Sequence, residues 1–316
     1  MALPFILSAL ALAAMFPSAV AAADTPQAGT MSEPPPEPEI LALEPDPHER
    51  LTVPVKIGTG GPYRFLVDTG AQATVLSRTL ADQLQLLDRE SALLVGMASR
   101  QRVTTAMIPQ LTIGLRTFPI RSAPLLEQEN IGADGILGLD SLQGQRVMLD
   151  FVENTISVAD AEALGGVSGF EIVVRARRKL GQLIVADARL NGIPVAVVID
   201  TGAQGSVGNL PLLRRLHRAD ELGQSHLTDV NGVQVPGGMR LARNFDLGRV
   251  RLSQVALFFA DAPPFAALGL SKRPALILGM RDLRAFRRVA IDFAAQRILF
   301  DLPTDASWQS ALNDRF

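Results

Sequence analysis

The run Phe65-Leu66-Val67-Asp68-Thr69-Gly70-Ala71-Gln72-Ala73-Thr74-Val75 returns 132 positions later as Val197-Val198-Ile199-Asp200-Thr201-Gly202-Ala203-Gln204-Gly205-Ser206-Val207. In each copy three apolar, strand-forming residues feed an aspartate into a glycine-containing turn. One such turn reads as an ordinary β-turn with a solvated carboxylate. Two, each delivering one carboxylate, point to a paired-acid site built by internal duplication.

The surrounding chain repeats as well. Leu51–Ile57 and Tyr63–Val67 flank the loop Gly58–Pro62, and Leu183–Leu190 and Pro194–Ile199 flank Asn191-Gly192, a strong two-residue hairpin signal. The Gly58–Pro62 loop precedes no helix and carries no Gly-Lys-Ser/Thr, so it is not read as a phosphate loop. After each Asp-Thr-Gly comes a short helical candidate, Arg78–Leu86 and Leu210–Arg218, and then further strands. These are Val103–Ile108, Leu111–Ile113 and Phe118–Arg121 in the first copy, and Val233–Val235, Met239–Phe245 and Val250–Phe259 in the second. Each copy then has an apolar run ending in glycine, at Gly138 and Gly279, and closes on a strand pair: Val147–Phe151 with Thr155–Val158, and Val289–Phe293 with Arg297–Phe300. The Asp-to-Gly spacing is 70 positions in one copy and 79 in the other, and Ala262–Pro274 is the candidate insertion. Many short strands with glycine-rich turns predict two mainly β domains of common plan.

The expected boundaries are a leader at 1–23, a Pro/Glu-rich tether at 24–47, a first domain at 48–162, a linker at 163–169, a second domain at 170–303 and a tail at 304–316. Leu3–Phe16 is an uncharged Ala/Leu run followed by Ser18-Ala19-Val20-Ala21-Ala22-Ala23, which predicts a secretory leader cleaved near Ala21 to Ala23 and a periplasmic or secreted chain. With no Lys or Arg before the run, an uncleaved membrane anchor is the alternative. The tether, centred on Glu33–Glu39, has too little apolar area to offset its ordering entropy and reads as disordered, with a short propeptide as the alternative.

Composition excludes several other chemistries. An apolar fraction of 47% with 20% charged residues suits a packed globular chain, and a net charge of −2 with dispersed basic residues gives no nucleic-acid footprint. Arg175, Arg177, Arg178 and Lys179 read as a solvated strand end. The absence of cysteine removes disulfides, thiol catalysis and thiolate metal sites. His48, His217 and His226 lack metal-ligand spacing, so no metal and no cofactor are expected, and no Gly-x-Ser-x-Gly elbow is present.

Asp-Thr-Gly-Ala-x-x-Thr/Ser-Val after an apolar strand, followed about 70 residues later by apolar-apolar-Gly, resembles the aspartic peptidase superfamily and most closely its retropepsin-like branch, over residues 50 to 302. The wording Asp134-Gly135-Ile136-Leu137-Gly138 is also pepsin-like. The resemblance implies two acid-protease β-barrel domains about a central cleft with a pseudo-twofold axis, both halves in one chain, so that no homodimer is required. It implies an aspartic endopeptidase acting on proteins or peptides, with Asp68 and Asp200 as the catalytic dyad. Thr69, Gly70, Thr201 and Gly202 would support that dyad, and Gly138 and Gly279 would be structural glycines beneath it. Ala71, Gln72, Ala203 and Gln204 are candidate substrate contacts.

Two such carboxylates share one proton, as the aspartic proteases themselves exemplify; one acts as base on a water while the other donates to the peptide carbonyl. Gln72 and Gln204 depart from the family's usual Ser, Asp or Asn, and Tyr63, the sole tyrosine, is not placed to be a flap tyrosine. The turns at Val95–Ser99 and Asp229–Gly238 are the flap candidates. Gly208, standing where Leu76 stands, predicts looser packing in the second copy. The alternative function is a peptide-binding module of this fold that has lost turnover.

Overall fold

The computed structural model describes residues 51–87, 89–142, 144–159, 161–216 and 219–302, with the backbone of three short strands at Leu12–Ala13, Glu39–Ala42 and Glu44–Pro45. Apart from those three strands, the expected leader and tether lie outside the described residues, as do His48, His217 and the C-terminal tail.

Alternating burial builds the first strands. Along Leu51–Ile57 the side chains of Val53, Val55 and Ile57 turn inward while Pro54 and Lys56 face solvent, the period-two pattern of a half-buried strand. Its partner is Gly60–Val67. The second copy opens with Gln182–Leu190 and Ile193–Ile199, joined through Asn191 and Gly192 at φ 48° and 81°. Both central residues of this turn need positive φ, which Asn and Gly adopt at little cost.

Each half closes into a six-strand ring. In the first, the order is Leu51–Ile57, Gly60–Val67, Gly135–Leu137, Val75–Ser77, Arg116–Leu126 and Arg100–Ile113, which returns to pair with Leu51–Ile57. In the second it is Gln182–Leu190, Ile193–Ile199, Ala275–Leu278, Ser206–Gly208, Val250–Phe259 and Gln234–Leu247, which returns to Gln182–Leu190. The parallel contacts fall at the same two places in both rings, between the Asp-bearing strand and the Gly-ended strand, and two pairings further on, Val75–Ser77 with Arg116–Leu126 and Ser206–Gly208 with Val250–Phe259. Closure removes free edges within each ring. The fold is mainly β, with the two halves built on one plan.

The closing hairpins leave their rings. Arg146–Asp150 pairs with Arg288–Asp292 along its whole length, giving a sheet in the order Ile172–Lys179, Arg297–Asp301, Arg288–Asp292, Arg146–Asp150, Thr155–Ala159 and Glu39–Ala42. This sheet ties the halves together. One apolar cluster runs through both, from Leu51 and Phe65 to Phe293 and Phe300.

Several local readings change. The helices end sooner than expected, at Arg78–Gln83 and Leu210–Leu213. Ser77 and Asn209 cap their starts by accepting the N–H groups of Leu80 and Leu212, and Gln85 then takes a left-handed φ of 53°, which no helix continues through. The separate strands read from Val103 to Ile113 are one bulged strand, Arg100–Ile113. Gly208 is not a loose spot: a Cβ added there would run into the ring of Phe259.

Candidate active site

Hydrogen bonding carries each aspartate off the end of a buried strand. Leu66 and Val67 lie parallel to Ile136 and Leu137, and the N–H of Asp68 continues that ladder to the Leu137 carbonyl at 3.0 Å. Val198 and Ile199 lie beside Ile277 and Leu278 in the same register, and the N–H of Asp200 reaches the Leu278 carbonyl at 3.0 Å. Both side chains are fully buried.

The turns then bend back on their own carboxylates. Oδ1 of Asp68 accepts from the N–H groups of Gly70 and Ala71 at 2.7 and 2.9 Å, and Oδ1 of Asp200 accepts from Gly202 and Ala203 at 2.9 and 3.2 Å. This fixes one oxygen of each carboxyl and leaves the other buried and outside these turn bonds. The loops are close enough that a Cβ at Gly202 would overlap the carboxyl group of Asp68. Glycine is therefore required there by proximity to the opposite acid.

Thr69 and Thr201 lock the two loops reciprocally. The Thr69 N–H donates to Oγ1 of Thr201 at 3.0 Å, and the Thr201 N–H to Oγ1 of Thr69 at 3.2 Å. Each hydroxyl in turn donates to the strand of the other half, Thr69 to the Ile199 carbonyl at 3.1 Å and Thr201 to the Val67 carbonyl at 2.7 Å. All four bonds are buried and all four cross between halves.

Beneath the loops the Gly-ended strands pass without room for a side chain. A Cβ at Gly138 would lie 2.5 Å or less from the Ala73 carbonyl, and one at Gly279 would lie 2.5 Å from the Gly205 carbonyl. The following residues tie the loops down from below: Leu139 N–H donates to the Ala71 carbonyl at 2.8 Å, and Met280 N–H to the Ala203 carbonyl at 2.8 Å. Ala71 and Ala203 are buried.

The two glutamines occupy equivalent backbone positions, with the Gln72 carbonyl accepting from Asp140 N–H and the Gln204 carbonyl from Arg281 N–H. The side chain of Gln72 braces the halves, its amide donating to the Leu180 carbonyl. Gln182 donates to the Gly70 carbonyl from the same second-half hairpin.

Supporting residues that the motif reading did not assign are Thr74, Ser206, Asp140 and Asp282. Thr74 Oγ1 accepts from Gly138 N–H at 3.2 Å and donates to Asp140 at 2.6 Å; Ser206 Oγ accepts from Gly279 N–H at 3.1 Å and donates to Asp282. The signal was present, since both motifs carry a hydroxyl residue six positions after the aspartate. The acids that receive those hydroxyls sit at unequal offsets after the glycines and could not be paired by spacing.

Electrostatics separates the acids. Burial holds the Asp200 carboxyl well above its ordinary value, the charge of Asp68 and a hydrogen bond with it push the same way, and the N–H groups of Gly202 and Ala203 oppose them. The pair therefore retains a proton at a pH where isolated carboxyls have lost theirs. Asp140 is also raised, by burial that outweighs its bonds from Thr74.

The flap candidates are the tips of two long hairpins, Arg89–Val95 with Arg100–Ile113 and Asp220–Thr228 with Gln234–Leu247. The tips meet: Asp229 accepts from Ala98 N–H and from the Ser99 hydroxyl.

Comparison with known proteins agrees with this arrangement. Residues 53–144 match the family described as "gag-polyprotein putative aspartyl protease", and residues 186–281 match the family described as "Aspartyl protease". Each match brackets one Asp-Thr-Gly turn and its Gly-ended strand. The chain is 32% identical over 151 residues to a protein named DNA damage-inducible protein 1 in two strains of Cryptococcus neoformans var. neoformans serotype D, covering 44% of this chain and 32% of each relative. The chain thus spans about a third of the length of the curated relatives it matches. With two matched halves and reciprocally locked Asp-Thr-Gly loops, this chain belongs to the retropepsin-like aspartic peptidase family.

Proposed function

We propose that the chain is an aspartic endopeptidase in which Asp68 and Asp200 act as an intramolecular dyad on an extended polypeptide. The observation that carries this reading is the pair of fully buried carboxyls presented by loops in mutual contact, one of them held strongly toward its protonated form. A water between them loses its proton to the ionised carboxylate as it attacks the peptide carbonyl, while the protonated partner donates to the carbonyl oxygen. The tetrahedral intermediate then collapses as the amide nitrogen takes a proton from the dyad and leaves. No covalent enzyme intermediate forms.

Because Thr69 and Thr201 bond across the halves, the two acids keep their separation without a second chain. Oδ1 of each acid is committed to backbone N–H groups, so proton transfer runs through the Oδ2 pair. We also propose export of the mature chain, on the strength of the Leu3–Phe16 run and the small residues after it; N-terminal sequencing of the protein recovered from its source cells tests this.

The test of the activity is a time course on an unstructured polypeptide from pH 3 to 8, with and without pepstatin. The expected result is cleavage that pepstatin blocks and that fades as pH rises through the raised Asp200 value. A folded chain that cleaves nothing at any pH contradicts the reading and favours a peptide-binding module.

A further inference from the structure

The hairpin that opens the second half carries a basic tip beside the first Asp-Thr-Gly loop. Its strands, Ile172–Lys179 and Gln182–Leu190, pair Lys179 with Gln182 and Arg178 with Leu183 around a turn at Leu180 and Gly181. That turn is bonded to the Asp68 loop, since Gln72 donates to the Leu180 carbonyl and Gln182 donates to the Gly70 carbonyl. The Gly70 N–H is in turn bonded to the Asp68 carboxyl. Two hydrogen bonds and one strand pairing thus separate Lys179 from Asp68, about 20 Å at most, the reach of about six residues of extended chain.

The tip is cationic and its charge is unpaired. Arg175, Arg177, Arg178 and Lys179 are exposed, and among the described residues none of them is in an ion pair. A Cβ added at Gly269 would lie 2.5 Å from Lys179 Nζ, and exposed Lys272 and Arg273 follow within four residues of that contact. Along 172–190 and 261–274 there are seven Lys and Arg against two acids, Asp187 and Asp261. At the end of the hairpin Leu180 holds φ 50° and is 49% exposed. A bulky residue rarely adopts that conformation, so the turn presents an apolar group beside the charges at a cost in strain.

The common plan of the halves does not require this charge. Thr52 and Ile184 are equivalent positions, each paired with the residue two before its aspartate, Leu66 and Val198. Thr52 also pairs with Glu44, where Ile184 pairs with Arg177. The first half therefore begins on Glu44-Pro45 at the place where the second begins on Arg177-Arg178. On symmetry alone, a site built from two like halves accepts an extended chain in either direction. A difference in charge between the halves removes that equality.

We propose that the tip Arg177–Leu180 is an exosite for an acidic stretch of the substrate, about four to six residues to one side of the scissile bond, and that it fixes the direction in which a polypeptide lies across the dyad. This rests on the reading of Asp68 and Asp200 as the dyad. The substrate class is a polypeptide with an Asp/Glu-rich flank on one side of the cut bond. Arg177, Arg178 and Lys179 are specificity-determining residues that act on binding and not on the chemical step.

The probes are three peptides with one apolar centre and a reduced CH2–NH bond in place of the scissile amide, titrated into the intact chain by fluorescence anisotropy. One carries three glutamates on its N-terminal flank, one carries them on its C-terminal flank, and one has glutamines at both places. The reduced bond reports binding without turnover. One of the two acidic peptides is expected to bind roughly five- to tenfold tighter than the glutamine peptide at low salt, as suits three exposed ion pairs. The advantage should shrink toward about 0.5 M salt. Arg177→Glu, Arg178→Glu and Lys179→Glu together should abolish it while the glutamine peptide binds as before. With cleavable amides the same advantage is expected in KM, with kcat unchanged.

Equal binding of the three peptides, or none, overturns the proposal, as does an equal gain for both acidic peptides or a gain that the triple reversal leaves intact. A preference that emerges only when Glu33→Gln, Glu37→Gln and Glu39→Gln neutralise the chain's own acidic segment identifies that segment as the occupant and overturns the substrate reading. One-sided binding by a chain that cleaves no polypeptide supports the exosite and contradicts the dyad. Cleavage without a preference contradicts the exosite alone.

Discussion

The proton that Asp200 keeps has a thermodynamic consequence separate from catalysis. Its folded-state value is raised, so between the ordinary carboxyl range and that raised value the native chain binds a proton that the unfolded chain releases. Stability from this group is complete below about pH 4 and is lost as pH rises through the folded value. Asp200→Asn removes the titration. The variant is expected to be more stable than wild type at pH 7, with the difference shrinking toward pH 4, in urea melts at several pH values. The same substitution, and Asp68→Asn, should lower the cleavage rate by at least about 10²–10⁴-fold, the range of a positioned acid or base. A gain in stability with a loss of activity is the mark of a functional site. By contrast, Gly138→Ala forces a methyl group onto the Ala73 carbonyl and is expected to cost about 1–3 kcal/mol, read by thermal denaturation, with the loss of activity following the loss of fold.

At the scale of elements, the two rings reach equal closure with unequal residues. Phe65 faces Gly135 in the first ring, and a Cβ on Gly135 would strike the Phe65 ring; the equivalent pair in the second is Val197 with Leu276. Two pairings on, Leu76 faces Leu125 where Gly208 faces Phe259. Each ring sets a glycine against a phenylalanine at one of these two places and two mid-sized side chains at the other, the places being swapped between the rings, so that each phenylalanine ring lies where its partner has no side chain. Gly208→Leu alone is expected to destabilise by about 1–3 kcal/mol through overpacking, and Phe259→Leu added to it should recover most of that, a coupling readable in a double-mutant cycle. Independent, additive effects would contradict the swap.

These pairs also explain what the sequence could and could not convey. The Asp-Thr-Gly turns, the Asn191-Gly192 hairpin and the Gly-ended strands were legible because each is a local signal with a local cause. Gly208 misled because its meaning lies in Phe259, which is 51 positions away. Helix ends were overrun because apolar residues continue past the C-caps at Leu84 and Arg214, at Leu86 and Leu216. Asp229 read as a turn residue in Asp229-Val230-Asn231-Gly232, and nothing local indicates that its second oxygen serves the opposite half.

For the whole molecule, the joint between halves is as important as the halves. Arg146 donates to Asp292 at 2.8 Å in an ion pair with both side chains fully buried, and Arg297 adds a second contact at 3.2 Å. Burial alone would raise the Asp292 carboxyl, but bonds from Arg146, the Ala295 N–H and Arg297 outweigh it and hold it below its ordinary value. Its contribution is therefore present above the ordinary carboxyl value and lost as pH falls through the lowered one. Asp292→Asn leaves the Arg146 charge buried and is expected to cost about 3–5 kcal/mol, measured by denaturant unfolding at neutral pH, with the penalty shrinking as pH falls through the lowered Asp292 value.

The pairing of Arg146–Asp150 with Arg288–Asp292 was not legible beforehand, because the apolar pattern of a closing strand is the same whether its partner is its own ring or the other half. It is this sheet, together with the crossed bonds of Thr69 and Thr201, that makes the site a property of one chain. The most direct test mixes separately folded Asp68→Asn and Asp200→Asn chains and assays them on an unstructured polypeptide beside wild type. One intramolecular dyad predicts that wild type cleaves, each variant is inactive, and the mixture is inactive too. Cleavage restored in the mixture, or retained by either variant at the wild-type rate, would contradict it.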